Sequence, residues 1–553
     1  ATFIDHSHAD AVLAIANQPN SAELCREVFG DTLAIVPYVM PGFALAKLAA
    51  DVAAAHPHAE GLVLLNHGLF TYGASARESY ERHIAAVDKA ERFLATRVAA
   101  LGDNVARKVP KPLDYVALAP ILRGELSGVR GSRERGSAPR FVLQRRTSPA
   151  IESLLSRADL EDLATRGVPT PDHVIRTKRT PLVLRLTPDM DEAAVRAVLR
   201  SALDEYRTRY REYVARESAA KQRTVKALDP DPRVLLIPGV GVVTAGATPS
   251  AARIAADLYE HTAEILENAE ALGHYQPLPE ADLFDMEYWS LEQAKLGKAA
   301  GRPLDARVVF ITGAASGIGA ACAKRFQSLG ANVFLTDRDA AALTALATTL
   351  KVPHQACDVT DPAAVAAALD ACVGTFGGVD VVVSNAGVAP QGRMHEVGLD
   401  TLRQSFEVNF FAHQHVAALA TRVMRRQCTG GALLFNASKA AFNPGPDFGP
   451  YAVPKAAVVA LMKQYALENG DAGIRSNAVN ADRVRTGLLP ADFVAERAKA
   501  RGLSEDAYFV SNLLGVEVRA DDVAQVFTDL ALAEKTTGCV VTVDGGNIAA
   551  APR

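Results

Sequence analysis

Residues 305–326 read DARVVFITGAASGIGAACAKRF, and the reading of this stretch decides the fold of the C-terminal half. Val308 to Ile311 is a short apolar run of the kind that forms a buried parallel strand. It enters Gly313, Gly317 and Gly319 and then an alanine-rich helical pattern. Glycines let a backbone turn tightly against a pyrophosphate, and the helix start at Ser316, Gly317 and Ile318 points free N–H groups at it. A second strand-like run, ANVFLTD, ends on Asp337 at the spacing expected of an acid that binds the adenosine ribose hydroxyls. A carboxylate there repels a 2′-phosphate and favours NAD over NADP; Arg338 beside it acts in the opposite sense.

The chemistry lies further along. Tyr451 and Lys455, in PYAVPK, are four residues apart and share one face of a helix. An ammonium near a phenol is expected to pull the phenol's pKa down from about 10, which suits proton transfer near neutrality. Ser438, at the end of the run LLFNAS, is placed to donate a hydrogen bond to the reacting oxygen. Pro454 is tolerable only near a helix start.

With TGAASGIG, CDVTD, VVVSNAG, FEVNFF, the Ser438/Tyr451/Lys455 spacing and VTVDGGN, residues from about 303 onward resemble the short-chain dehydrogenase/reductases. The resemblance implies a doubly wound parallel (Rossmann) sheet and a catalytic tetrad of Asn409, Ser438, Tyr451 and Lys455, with Asn409 holding a water that links Lys455 to solvent. It implies further cofactor contacts at Asp358 and Val359 (adenine), at Asn385, Ala386 and Gly387, and at Thr486 (nicotinamide carboxamide). One departure is NAVNADRVRT, where the family commonly has Asn-x-x-Pro-Gly. Ala481 and Asp482 then border the substrate beside Lys439, Arg483 and Arg485, which suits a polar or anionic hydroxy-carbonyl; the alternative is that these charges face water.

The N-terminal half carries a repeat. GLVLLNHGLFTYG (61–73), followed by a long helical pattern, returns as RVLLIPGVGVVTAGAT (233–248) with another. Without gaps, Gly68 falls on Gly241 and His67 on Val240, so one copy has a histidine and the other has none. His6 and His8, two apart in an extended segment, project to the same side. Three histidines with an open position suit a catalytic divalent metal, most often zinc. DHSHADAVLAI followed by LLNHGLFTYG resembles the class II aldolase/adducin family, which implies zinc at His6, His8 and His67, polarising a ketose phosphate. That family's phosphate loop and catalytic acid precede the H-x-H pair, so a chain opening on ATFIDHSH is expected to lack the front of the domain.

The resulting expectation is an α/β protein: residues 1–108 aldolase-like, 109–146 a Pro/Gly/Arg-rich linker, 147–300 a degenerate aldolase-like region, and 301–553 the Rossmann domain. The 553-residue chain, with a net charge of −4, six scattered cysteines and no long apolar run, argues against nucleic-acid binding and a membrane span and for a reducing cytoplasm. The fusion resembles bifunctional rhamnulose-1-phosphate aldolase/short-chain dehydrogenases, implying lactaldehyde as the dehydrogenase substrate and a homo-oligomer, dimer or tetramer. Two alternatives are a dehydrogenase of another secondary or sugar alcohol with a scaffolding N-terminal half, and a non-enzymatic adducin-like protein.

Overall fold

The computed structural model describes residues 2–101, 105–128, 139–296, 301–488 and 491–546. It divides into two units, residues 1–114, 144–246 and 250–300 forming the first and 115–143, 247–249 and 301–553 the second.

The first unit is built on two four-stranded sheets. Strands β1 (Phe3–Ser7), β2 (Leu33–Val36), β3 (Gly61–Leu64) and β4 (Gly68–Gly73) lie in the order β1-β4-β3-β2. Strands β5 (Val142–Arg146), β6 (Leu182–Val183), β7 (Val234–Ile237) and β8 (Gly241–Gly246) lie in the order β5-β8-β7-β6. In both, the central hairpin is antiparallel and the last pair parallel. Gly61 pairs with Thr71 and Val234 with Thr244, so the hairpins share the register in which Gly68 aligns with Gly241. Each hairpin is followed by a long helix, Ala76–Leu101 or Pro249–Leu272. The first buries Ala86, Ala90 and Leu94, and the second Ala252, Ala256, Tyr259, Ala263 and Leu266: one apolar stripe each at helical spacing. Leu13, Ile15, Leu69 and Ala90 share one core with Leu236, Val242 and Ala263, so both sheets rest on a common interior.

The second unit is a seven-stranded parallel sheet. Its strands are β9 (Val308–Thr312), β10 (Asn332–Asp337), β11 (His354–Ala356), β12 (Val381–Ser384), β13 (Gly431–Asn436), β14 (Ile474–Ala481) and β15 (Val540–Val543), ordered β11-β10-β9-β12-β13-β14-β15. Val308 and Phe310 enter one core and Val309 and Ile311 another, on opposite faces, as expected of a strand buried on both sides. The order reverses between β9 and β12, and a crevice at the carboxyl ends of the strands opens at such a switch point.

The segment expected to be a linker is partly core. Residues Tyr115–Leu126 form a helix that is buried along almost its whole length and packs on the helices Pro362–Phe376 and Ala412–Gln427. Gly124 makes the approach possible, because a Cβ there would lie 2.1 Å from the Gln427 carbonyl oxygen. Arg123, 1% exposed, donates to Asp380 Oδ2 at 2.6 Å, to the Phe141 carbonyl at 2.6 Å and to the Ala306 carbonyl at 2.9 Å. Burial alone would push the Asp380 carboxyl up, but Arg123, Arg140 and Arg307 outweigh it and hold it far below the usual range. Gly, Ser, Pro and Arg content signalled a connector, yet the run YVALAPIL within it is apolar enough to be covered. Residues 129–138 of that segment lie outside the described residues. No helix among the described residues is long and apolar enough to cross a membrane.

Candidate functional site

At the carboxyl ends of β9, β10, β12 and β13 lies a cavity of about 590 Å³. Gly313, Ser316, Gly317, Ile318, Asp337, Asp358, Val359, Asn385, Ala386, Gly387, Tyr451, Lys455 and Thr486 all line it, with Arg338 beside Asp337. Gly319 has a different part: a Cβ there would sit 2.0 Å from the Gly313 carbonyl oxygen, so this glycine closes the loop against its own helix. Asp337 Oδ2 accepts from the Ala315 N–H at 2.9 Å and Oδ1 from the Asp339 N–H at 3.0 Å, which fixes the carboxylate over the loop. Asn385 donates to the carbonyls of Thr312 and Gly313 at 3.1 and 3.0 Å and accepts from Asn436 at 2.8 Å. Its side chain is thus spent on joining three strand ends.

Tyr451 lies in the first turn of the helix Gly449–Asn469. Pro454 cannot donate to the Pro450 carbonyl four residues earlier, and the Ser405 hydroxyl donates to it instead at 2.7 Å. Lys455 Nζ donates to the Asn436 carbonyl at 2.8 Å and lies 3.4 Å from His413 Nε2; His413 Nδ1 is 2.6 Å from the Ser384 hydroxyl. Burial lowers Lys455 to about 7. Burial also raises the Tyr451 phenol, opposed by its hydrogen bond with Ser438. The expected lowering by Lys455 is therefore not found here: desolvation dominates and weakens the lysine's charge as well. Asn409 sits in a π-turn, Glu407–Phe411, and its side chain binds Val388 through N–H at 3.1 Å and carbonyl at 2.9 Å. That amide positions the Gly387–Val388 backbone beside Lys455. Sequence reasoning missed Asn436, Ser384 and His413.

A second cavity, of about 140 Å³, adjoins Ser438 and Tyr451 and is lined by Lys439, Asp482, Arg483 and Arg501 among others. Of the three cations expected there, Arg485 does not line it; it pairs with Glu517 at 2.9 Å and Asp506 at 3.2 Å. Arg483 donates to the carbonyls of Tyr508 and Ser511 at 3.0 and 3.1 Å and is largely framework.

In the first unit, β1 and the turn between β3 and β4 bring His6, His8 and His67 together, one ring nitrogen of each within 4.8 Å of the others. Gly68 allows this, since a Cβ there would lie 2.4 Å from the Ser7 carbonyl oxygen and 2.9 Å from His8 Cδ2. His6 Nδ1 faces the Leu69 carbonyl at 2.9 Å. A carbonyl only accepts, so Nδ1 carries a hydrogen, which leaves Nε2 as the ring atom able to bind a metal. The Nε2 atoms of His6 and His8 are 3.2 Å apart, and His67 Nδ1 is buried without a hydrogen-bond partner. Burial lowers His8 to about 4, opposed by the Asp172 carboxylate, and burial together with His8 lowers His67 to about 4. Three imidazoles whose ring nitrogens converge in this way suit a divalent cation.

Three family models match: "Class II Aldolase and Adducin N-terminal domain" over residues 1–94, "Aldolase class II, second domain" over 114–296, and "Enoyl-(Acyl carrier protein) reductase" over 313–547. The oxidoreductase YuxG of Bacillus subtilis (strain 168), described as uncharacterized, is 30% identical over 100% of this chain and 81% of its own length. The chain belongs to the family that fuses class II aldolase domains to a short-chain dehydrogenase/reductase. Within this aldolase–dehydrogenase fusion, the C-terminal part is also similar to single-domain dehydrogenases. (+)-Borneol dehydrogenase 1 of Salvia officinalis is 34% identical over 45% of this chain and 96% of its own. D-Threitol dehydrogenase of Mycolicibacterium smegmatis (strain ATCC 700084 / mc(2)155) is 35% identical over 34% and 73%. Among solved structures, levodione reductase is 27% identical with a TM-score of 0.41, covering 44% of this chain and 98% of that one. The fusion is an enzyme of the short-chain dehydrogenase type, and the match from residue 114 takes in the stretch expected to be a linker.

Proposed function

We propose that the fusion protein is an NAD-dependent oxidoreductase for a small hydroxy-carbonyl such as lactaldehyde, joined to a zinc-dependent rhamnulose-1-phosphate aldolase module. The observation that carries the first half is that Tyr451 and Lys455 line the cavity that also holds the glycine loop and Asp337, while Tyr451 and Ser438 line the smaller cavity adjoining it. The nicotinamide, when bound, takes up or gives the hydride. Tyr451 exchanges the proton with the substrate oxygen, and Ser438 holds that oxygen by a hydrogen bond. Lys455, anchored on Asn436, lies one helical turn behind the phenol. Asp337, fixed at the loop, supports NAD over NADP. Oxidation of an aldehyde to an acid proceeds through its hydrate: the C–H hydrogen leaves as hydride and Tyr451 takes the hydroxyl proton.

His6, His8 and His67 are the residues that would hold zinc, which when bound polarises a ketose carbonyl. A chain bearing both activities releases its aldehyde where a tethered second site can take it up. Phe411, Val453 and Leu467, exposed on the helices that carry Asn409 and Tyr451, support assembly into a dimer or tetramer. The six free thiols suit a reducing cytoplasm.

The test is NADH formation from NAD and L-lactaldehyde, and NADH consumption in the reverse assay. Turnover in either direction, lowered by Tyr451→Phe by about 10²-fold or more, is the expected result. A second reading, oxidation of a sugar alcohol, draws on the polar lining by Lys439, Asp482 and Arg501 and on the threitol dehydrogenase likeness. Turnover of a tetritol but not of lactaldehyde would select it.

A further inference from the structure

The three histidines come from the first sheet, but a fourth group reaches them from the second aldolase domain. Asp172 lies on the short turn Pro171–His173. Its Oδ2 is 3.4 Å from His8 Nε2 and 3.9 Å from His67 Nε2, while Oδ1 is 3.4 Å from Lys295 Nζ. One carboxylate oxygen thus faces the imidazoles and the other is turned to a cation.

Two edges of the cluster have the length that a bound metal ion would set. A tetrahedral zinc with bonds of about 2.0–2.1 Å sets its donor atoms about 3.4 Å apart. The His6–His8 edge is 3.2 Å and the His8–Asp172 edge 3.4 Å, with His67–Asp172 at 3.9 Å. The placement of Asp172 is also braced from the histidine side. Asn66, next to His67, donates to Asn17 Oδ1 at 2.6 Å, and Asn17 donates to the Pro169 carbonyl at 3.0 Å. Tyr275 donates to the Gly167 carbonyl at 3.1 Å, and Thr170, fully buried, lies 3.5 Å from His8 Nδ1. The segment that delivers the carboxylate is therefore tied to the turn that delivers His67.

We infer that Asp172 is the fourth protein donor of this centre, making a three-histidine, one-carboxylate site for a divalent cation shared between the two aldolase domains. The inference rests on the metal reading of His6, His8 and His67. Because Lys295 holds Oδ1, the carboxylate binds through Oδ2 alone, and a substrate oxygen can displace a single-oxygen ligand without moving the histidines.

The experiment uses the full chain, stripped with a chelator and titrated with Zn²⁺ by calorimetry and with Co²⁺ by visible absorption. His6→Ala tests the histidine centre, and Asp172→Asn and Asp172→Ala test the fourth donor, with far-ultraviolet circular dichroism to establish that each is folded. The expected result is one ion per chain, lost in His6→Ala and bound at least about tenfold to a hundredfold more weakly in both Asp172 variants. The Co²⁺ bands should also weaken in the Asp172 variants, as water raises the coordination number. Unchanged affinity and an unchanged Co²⁺ spectrum in both Asp172 variants, with binding lost in His6→Ala, would overturn the inference and leave the three-histidine centre standing. Absence of stoichiometric binding in the unaltered chain would overturn both.

Discussion

The two four-stranded sheets of the first unit solve the same folding problem with largely the same residues. Each turn between the hairpin strands has a residue in the left-handed region, Asn66 at φ 57° or Gly239 at φ 89°. Each second strand opens on a glycine that a carbonyl approaches closely: a Cβ on Gly68 would be 2.4 Å from the Ser7 oxygen, and one on Gly241 2.5 Å from the Arg146 oxygen. Each carries a buried threonine that donates to the following helix, Thr71 to Ser79 at 3.0 Å and Thr244 to Ala252 at 2.6 Å. Where the glycine contacts superpose His6, Ser7 and His8 on Arg145, Arg146 and Thr147, and the hairpin register superposes His67 on Val240, none of the three imidazoles recurs in the second sheet. What the backbone requires recurs in both copies, and what a metal requires is found in one. The chemistry is thus an addition to the scaffold, replaceable without loss of fold.

His67→Val gives the first sheet the residue that the second carries at the same register position. Zn²⁺ binding by the full chain should be abolished. The chelator-treated protein should be more stable by about 1 kcal/mol, since the variant removes a buried ring nitrogen that has no partner. Chemical unfolding with chelator measures this, and a loss of stability would show that the imidazole is part of the packing. Gly68→Ala and Gly241→Ala come next. Each should cost about 3 kcal/mol, because the nearest obstacle to the new Cβ is a backbone carbonyl rather than a flexible side chain. Only Gly68→Ala should also weaken Zn²⁺ binding, as its Cβ crowds His8 as well. Equal effects on metal affinity would mean that the two turns are coupled through the shared core.

The same separation explains what was legible in the sequence. Backbone requirements leave local marks, and the glycine loop, Asp337 and the Tyr451/Lys455 spacing could all be read from neighbours along the chain. The register of the two hairpins was readable because glycine has few substitutes at a close approach. Asp172 was not readable, because nothing near it in PTPDHVIRT points to histidines more than a hundred residues away; its role depends on the Asn66–Asn17–Pro169 link. His413 was missed for the same reason, its partners Ser384 and Lys455 lying on a strand and a distant helix. The helix Tyr115–Leu126 was hidden by its flanks, whose arginines look solvated. Arg123 is buried only because Asp380 waits for it at 2.6 Å on another element. The sign of the Tyr451 shift was misjudged because spacing shows the lysine and not the burial of both groups.

The threonine pair gives the finest cut between the sheets. Thr244 makes its one side-chain-to-helix bond and faces Ala256 in the register of the repeat, whereas Thr71 also meets His83 Nδ1 at 3.0 Å. The Thr71 hydroxyl has one proton and donates it to Ser79, so the contact with His83 needs Nδ1 to carry the hydrogen. Nε2 of His83 is then the acceptor, and the Ser7 hydroxyl, 2.6 Å away, donates to it. A threonine that ties strand to helix in both sheets thus also sets a tautomer in the first and, through Ser7, steadies the strand between His6 and His8. Thr71→Val should therefore destabilise the protein by about 1 kcal/mol more than Thr244→Val, the net worth of one further hydrogen bond. The excess should vanish in a His83→Ala background, which a double-mutant cycle on chemical unfolding measures. Equal costs in the two sheets would show that the His83 link carries no energy and that the sheets differ only at the metal ligands themselves.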